Sequence, residues 1–327
     1  MDPSGGQVFR ACARLRLTPY GLPQCRCRAN QAAGTMSHSK NQNVRLFTPR
    51  QGRRMTPTIA IIGALDKEVR HIYHSVEHGT VTDEAGLTVM GGSYHGFNLV
   101  ATTAGMGTVN VAAATQHLIS AYGANAVIFS GIAGGLNPAL HIGDVVIGEH
   151  LRYIDTDTAL IAESAPHLEE FVSSDFLVDV AEETLVAHGF VNAALDEEAL
   201  KAGAAARAAA DASYFRRNNP DAEPQRYLRG VIATGNRFIT GEELKQAVIA
   251  ATRADCAEME GAAVAHIAAK NQVDCLVLRA ISDNCDEEYD ALSARSFDLE
   301  EYAHTASALT LAIVRRLAAR LGLSYRD

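Results

Sequence analysis

No stretch of this chain is apolar for long enough to cross a bilayer as a helix, which takes about 20 consecutive residues. The nearest approach, LTLAIVRRLAARLGL at 309–323, is interrupted by Arg315, Arg316 and Arg320, so no membrane partner is expected. Metal-ligand spacing is also missing. Cys12, Cys25, Cys27, Cys256, Cys275 and Cys285 form no CxxC…CxxC or Cys/His pattern, so neither a metal site nor a disulfide framework is expected. A reducing, cytoplasmic setting fits that cysteine usage. Tryptophan is absent, which alone decides nothing. The glycine-rich turns match no dinucleotide fingerprint, and no P-loop lysine follows them.

Basic residues are scarce outside the first segment. Residues 1–54 carry nine Arg and one Lys against Asp2, about +9. Taking those from the totals of 29 basic and 38 acidic residues leaves 19 against 37, a net of −18. Such a body is a poor match for nucleic acid, which needs a basic footprint, and suits a small neutral or cationic ligand better. Residues 1–54 lack apolar periodicity and read as a disordered tail or the product of an over-extended start before Met55. An Arg-rich, acid-poor transit peptide is the other reading.

What is present is a core-forming composition, 47% apolar and 20% charged, arranged from Thr58 onward as alternating strands and helices. Buried-strand runs stand at 58–63, 97–103, 126–131, 144–149, 230–235 and 275–282, with helical patterns near 66–77, 108–121, 175–188, 241–252, 260–270 and 297–321. On the last, Tyr302, Ala306, Leu309, Ile313, Leu317 and Leu321 form one stripe. Continuous apolar strands separated by helices predict an α/β fold with a largely parallel sheet covered on both faces. Residues 192–226, rich in Ala and charge and ending in Asn and Pro, read as a surface insertion rather than a second domain.

In open α/β sheets, ligands gather at the carboxyl ends of the strands, and three acids stand there. Glu68 lies in the first turn of the helix after 58–63, where the helix N-terminus favours the ionised form a base needs. An acid at that place is also an ordinary helix stabiliser. Glu260 opens the helix of EMEGAAVA, where small residues admit a ligand and a carboxylate can accept two sugar hydroxyls. Asp283 directly follows a buried strand, which is costly without work or a partner. Arg279, within the same apolar run, argues either for a polar cavity or for structural pairing with an acid. Phe238, in the loop after 230–235, could stack on a planar base or edge a core.

In order, IIGALDKEV, GMGTVN, SGIAGGL, IGDVVIG, TGNRFI, AEMEGAAVA and RAISD resemble the 5'-methylthioadenosine/S-adenosylhomocysteine nucleosidase branch of the nucleoside phosphorylase/nucleosidase superfamily. The resemblance spans 58 to about 290 and implies one nucleosidase domain at 56–323, behind a tail at 1–55. The implied fold is a three-layer αβα sandwich around a mixed, largely parallel twisted sheet. The implied activity is hydrolysis of an N-ribosidic bond, with no cofactor and with a small-molecule nucleoside and water as the partners. By position, Glu68 would be the general base and Asp283 the general acid, with Ser282 supporting Asp283 and Arg279 helping to position the water. Glu260 would hold the ribose hydroxyls above Met259. Phe238 and the Ile239 backbone would enclose the base, and Gly134 and Met106 would line the site. A homodimer is implied, with the segment after 153–157 closing the neighbour's thio pocket.

The chain departs from the family pattern in three places. Ile132 replaces a small polar residue common in nucleosidases, Asn236-Arg237 replaces a common Asp-Ala pair, and 192–226 is inserted. A phosphorylase, a hydrolase of futalosine-type nucleosides and a non-catalytic nucleoside sensor remain as alternatives.

Overall fold

Along β1 (Thr58–Gly63) every residue is buried, yet the side chains divide between two cores. Ile59 and Ile61 join one, and Ala60 and Ile62 the other, as the two-residue period of a strand requires. The same division runs through β4 (Phe97–Thr103), β5 (Ala126–Gly135) and β11 (Asp274–Asp283). Leu99, Ile128, Leu276 and Leu278 face one way, and Val100, Val127, Phe129 and Val277 the other. A sheet apolar on both faces needs helices on both, and it has them.

The computed structural model describes residues 56–194, 225–286 and 296–323, without the side chains of 296–300. The expected tail at 1–55 and all but the ends of the 192–226 insertion lie outside the described residues. On the first face lie α1 (Asp66–Ser75), α4 (Asp175–Ala187) and α7 (Ser296–Arg320). They contribute Val69 and Ile72, Leu177 and Leu185, and Leu309, Ile313 and Leu317. The second face is covered by α2 (Thr108–Tyr122) and α6 (Gly261–Asn271), through Val111, Leu118, Val264 and Ala268. A smaller cluster sets Val248 of α5 (Glu242–Thr252) against Leu136, Ile239 and Cys285. The short α3 (Thr158–Ile161) buries none of its residues.

The remaining strands are β2 (Glu77–Glu84), β3 (Leu87–Tyr94), β6 (Val145–Tyr153), β7 (Phe171–Val172), β8 (Val191–Asn192), β9 (Arg226–Thr234) and β10 (Cys256–Glu258). The sheet order is β10-β9-β6-β11-β5-β1-β4-β3-β2, with β7 on β6 and β8 on β9. Strands β4, β1, β5 and β11 are mutually parallel. Strand β6 runs antiparallel to β11, while β9 and β10 run parallel to β6 in turn. The α/β sandwich with a mixed, largely parallel sheet is thus the observed fold. All six anticipated strands form. The β2–β3 hairpin and the short β7, β8 and β10 were not anticipated. No helix of the described residues is long and apolar enough to cross a membrane.

Two features aim the fold at one place. The parallel strands β1, β5 and β11 end on the same side of the sheet, at Gly63, Gly135 and Asp283. Strand β11 also shifts register between Ile281 and Asp283 against Gly134. Such bulges re-aim side chains beside functional sites.

Candidate active site

A cleft of about 180 Å³ opens at these strand ends. Nine of the ten residues singled out in the sequence line it: Glu68, Met106, Gly134, Phe238, Ile239, Met259, Glu260, Ser282 and Asp283. Arg279 does not; it lies behind the wall, 1% exposed.

Glu68 is buried in the first turn of α1, and both oxygens face backbone donors. Oε2 accepts from the amides of Ala64 at 2.7 Å and Leu65 at 2.9 Å, and Oε1 from Ile132 at 3.1 Å. These bonds hold the charged form, and Arg279 favours it too, yet burial is the larger influence and raises the carboxyl above its ordinary value. Glycine at 131 makes the arrangement possible. A Cβ there would stand 2.3 Å from Glu68 Oε1 and 2.5 Å from Arg279 Nη1. The glycines in the last part of β5, read in the sequence as a turn, are therefore a requirement of close approach by charged side chains.

Asp283, at the end of β11, accepts the Cys285 amide through Oδ1 at 2.8 Å, and its Oδ2 lies 2.9 Å from Ser282 Oγ. Opposite it, Gly134 has no room for a side chain: a Cβ would meet Cys285 Sγ at 2.4 Å and Asp283 Oδ1 at 3.0 Å. Cys285 also lines the cleft, but burial and then Asp283 push its thiol up to about 12. It is a thiol, not a thiolate nucleophile, at neutral pH.

Glu260, just before α6, accepts the Gly107 amide through Oε1 at 2.7 Å, while Oε2 lies 3.7 Å from Arg279 Nη2. Burial, then the neighbouring Glu258 charge, lifts its carboxyl to about 7. Met259 and Phe238 are half-buried on the wall, and Ile239 is buried behind the Phe238 turn.

Glu258 is the residue that sequence reasoning passed over. It receives Arg279, the Thr234 hydroxyl and the amides of Glu260 at 3.1 Å and Gly261 at 2.7 Å. It therefore caps α6 and neutralises Arg279, whose guanidinium also sits 4.0 Å from the Phe129 ring centre. A usable signal was present: an arginine inside an apolar strand demands a buried carboxylate, and the Glu258-Met259-Glu260 run supplies two. Lys67 and Arg237 also line the cleft and have no ion pair among the described residues. Among those residues no cluster of three or more His, Cys, Asp or Glu side chains forms a metal site.

The model of the Phosphorylase superfamily matches residues 58–317, strands and cleft included. The chain belongs to that superfamily. Among this superfamily member's relatives is the 5'-methylthioadenosine/S-adenosylhomocysteine nucleosidase of Treponema pallidum (strain Nichols). It is 30% identical over 263 residues, covering 80% of this chain and 94% of the relative. The nucleosidase of the same name from Shewanella sediminis (strain HAW-EB3) is 29% identical, covering 79% and 99%.

Solved structures agree. The nucleosidase of Neisseria meningitidis in complex with methylthio-immucillin-A aligns with TM-score 0.62 and 25% identity, covering 79% of this chain and 98% of that one. The futalosine hydrolase of Helicobacter pylori strain 26695 aligns with TM-score 0.64 and 26% identity, covering 80% and 99%. The resemblance read from the seven motifs, and the enzyme class it implied, are borne out.

Proposed function

We propose that this enzyme hydrolyses the N-ribosidic bond of 5'-methylthioadenosine and S-adenosylhomocysteine, releasing adenine and the thio-ribose, in methionine salvage and methyl-cycle recycling. One observation carries the reading. Of the four buried carboxylates on a single cleft, Glu258 is engaged by Arg279, and the other three have three different sets of partners, as separate acid, base and sugar-binding roles require. Asp283 donates a proton to purine N7 as the C1'–N9 bond breaks and positive charge grows on the ribose. Glu68 takes a proton from the water whose oxygen bonds to C1'. Glu260 accepts the ribose hydroxyls above Met259, and the base lies against Phe238 and the Ile239 backbone. Positioned acid and base groups each contribute on the order of 10²–10⁴-fold. Arg279 acts through charge, tempering Glu68 and Glu260 from behind the wall.

Water is favoured over phosphate as the acceptor. At the end of β5 the cleft presents the Glu68 carboxylate and apolar Ile132, and Arg279 is engaged by Glu258. A dianion there meets like charge. Adenine release from methylthioadenosine in phosphate-free buffer is expected to proceed at the same rate after phosphate is added. Release that requires phosphate would make the enzyme a phosphorylase. A futalosine-type nucleoside is the second reading, favoured by similarity to the Helicobacter pylori enzyme, and it gains if neither buffer gives adenine from methylthioadenosine. The homodimer is supported by exposed Leu160, Leu168 and Val172, which follow the 153–157 segment.

A further inference from the structure

Helix α2 starts without a cap of its own. Its N-cap is Gly107, whose side chain offers no acceptor, and the helix has no capping bond from that residue. The first amides of a helix need acceptors, and here they come from distant segments. Gly107 N donates to Glu260 Oε1 at 2.7 Å, and Thr108 N donates to Asn236 Oδ1 at 3.0 Å. The Thr108 hydroxyl lies 3.1 Å from Asn236 Oδ1 and 3.0 Å from Nδ2. Because a backbone N–H can only donate, the bond to Thr108 N fixes which way the Asn236 amide faces.

Asn236 also makes a third connection, through its own amide. That N–H donates to Asp155 Oδ2 at 3.2 Å, in the segment between β6 and α3. One exposed residue, two before Phe238, thus joins three parts of the cleft: its side chain ties the base-side loop to the helix end that holds Glu260, and its backbone N–H ties that loop to the 153–157 segment. The fit is close, since a Cβ on Gly107 would stand 3.3 Å from Asn236 Oδ1.

We propose that Asn236 is a positioning residue, a cap supplied to α2 from across the cleft that holds the Phe238–Ile239 loop in register with Glu260. This rests on the nucleosidase reading. Substrate affinity, rather than the chemical step, depends on the latch, because Glu68 and Asp283 stand on α1 and β11, which Asn236 does not touch. Asp at this position would keep the acceptor and add a charge the helix N-terminus favours.

The test compares Asn236→Ala, Asn236→Asp and Thr108→Val with the parent enzyme, measuring adenine Kd by calorimetry and KM and kcat for methylthioadenosine. Asn236→Ala is expected to raise Kd and KM about tenfold, the size of a lost cap, with kcat within about twofold. Asn236→Asp should restore both constants. Thr108→Val should shift them the same way, and the double variant Asn236→Ala/Thr108→Val should fall short of the summed effects, since both break one contact. An active Asn236→Ala enzyme with parental KM and Kd overturns the proposal, as does a loss of kcat alone. If Asn236→Ala does not fold, Asn236→Ser, whose shorter side chain withdraws the acceptor from the Thr108 amide, takes its place, and parental constants there overturn the proposal. A parent enzyme that releases no adenine refutes the nucleosidase reading instead.

Discussion

At Glu260 two pressures act in the same direction: burial and the adjacent Glu258 charge raise its carboxyl from an ordinary 4.5 to about 7. The folded chain therefore holds this proton more tightly than the unfolded chain does. Its contribution to stability is complete below about pH 4.5 and is lost as the pH climbs towards 7. Urea midpoints at pH 5 and pH 8 should show a smaller loss in Glu260→Gln than in the parent, while the variant binds substrate poorly. An unchanged pH slope would remove Glu260 as the cause. Asp283→Asn should keep the fold, because its amide oxygen can still accept the Cys285 amide, and Glu68→Gln should keep it at reduced stability, because its amide oxygen can accept on one side only, from Ala64 and Leu65 or from Ile132. Each should lose on the order of 10²–10⁴-fold in single-turnover adenine release. Near-parental turnover in either would strip that residue of its role. Such residues were legible because a charge at the end of an apolar run is costly without a use, as at Asp283. Glu258 was legible only as one of two acids that could answer the buried Arg279, because which of Glu258 and Glu260 takes it, with Thr234, is decided by the fold.

Between elements, the contact of α1 with α7 matters most to the cleft. Ser307 of α7 donates to the backbone carbonyl of Glu68 and also reaches Ala303 O at 3.0 Å. It is fully buried, so it anchors the turn that presents Glu68, the proposed base. Ser307→Ala should cost about 1 kcal/mol of stability and lower kcat with little change in adenine Kd. Denaturant titration and steady-state kinetics would check this; an intact kcat would limit Ser307 to packing. The main strands and helices could be read because their apolar periods are long and unbroken. The β2–β3 hairpin could not. EHGTVTDE in β2 is exposed along nearly its whole length and adds its strand by backbone pairing to β3 alone. Strand β10 is three residues long, too short for any period to show.

For the whole molecule, the exposed side chains of Leu160 and Leu168 lie in the polar segment that follows 153–157. Large apolar groups left in water there point to a covered face. The enzyme should scatter light as a dimer, and Leu160→Asp/Leu168→Asp should yield a monomer with a raised KM for thio-substituted nucleosides. A parent enzyme that is monomeric and fully active would remove the dimer from the mechanism.

The bond between Ser307 and Glu68 joins residues 239 positions apart. A ribosome makes the first β–α unit long before α7, and domains fold as their parts emerge. Helix α1, which carries Glu68, therefore leaves the exit tunnel before its α7 neighbour exists, and the core it shares with Leu309 and Ile313 stays incomplete until those residues arrive. A nascent chain that stops short of α7 holds every proposed catalytic side chain yet lacks the clamp that seats Glu68. Activity should consequently switch on late in synthesis, and stalled or clipped products should be inert toward the nucleoside pool rather than partly active.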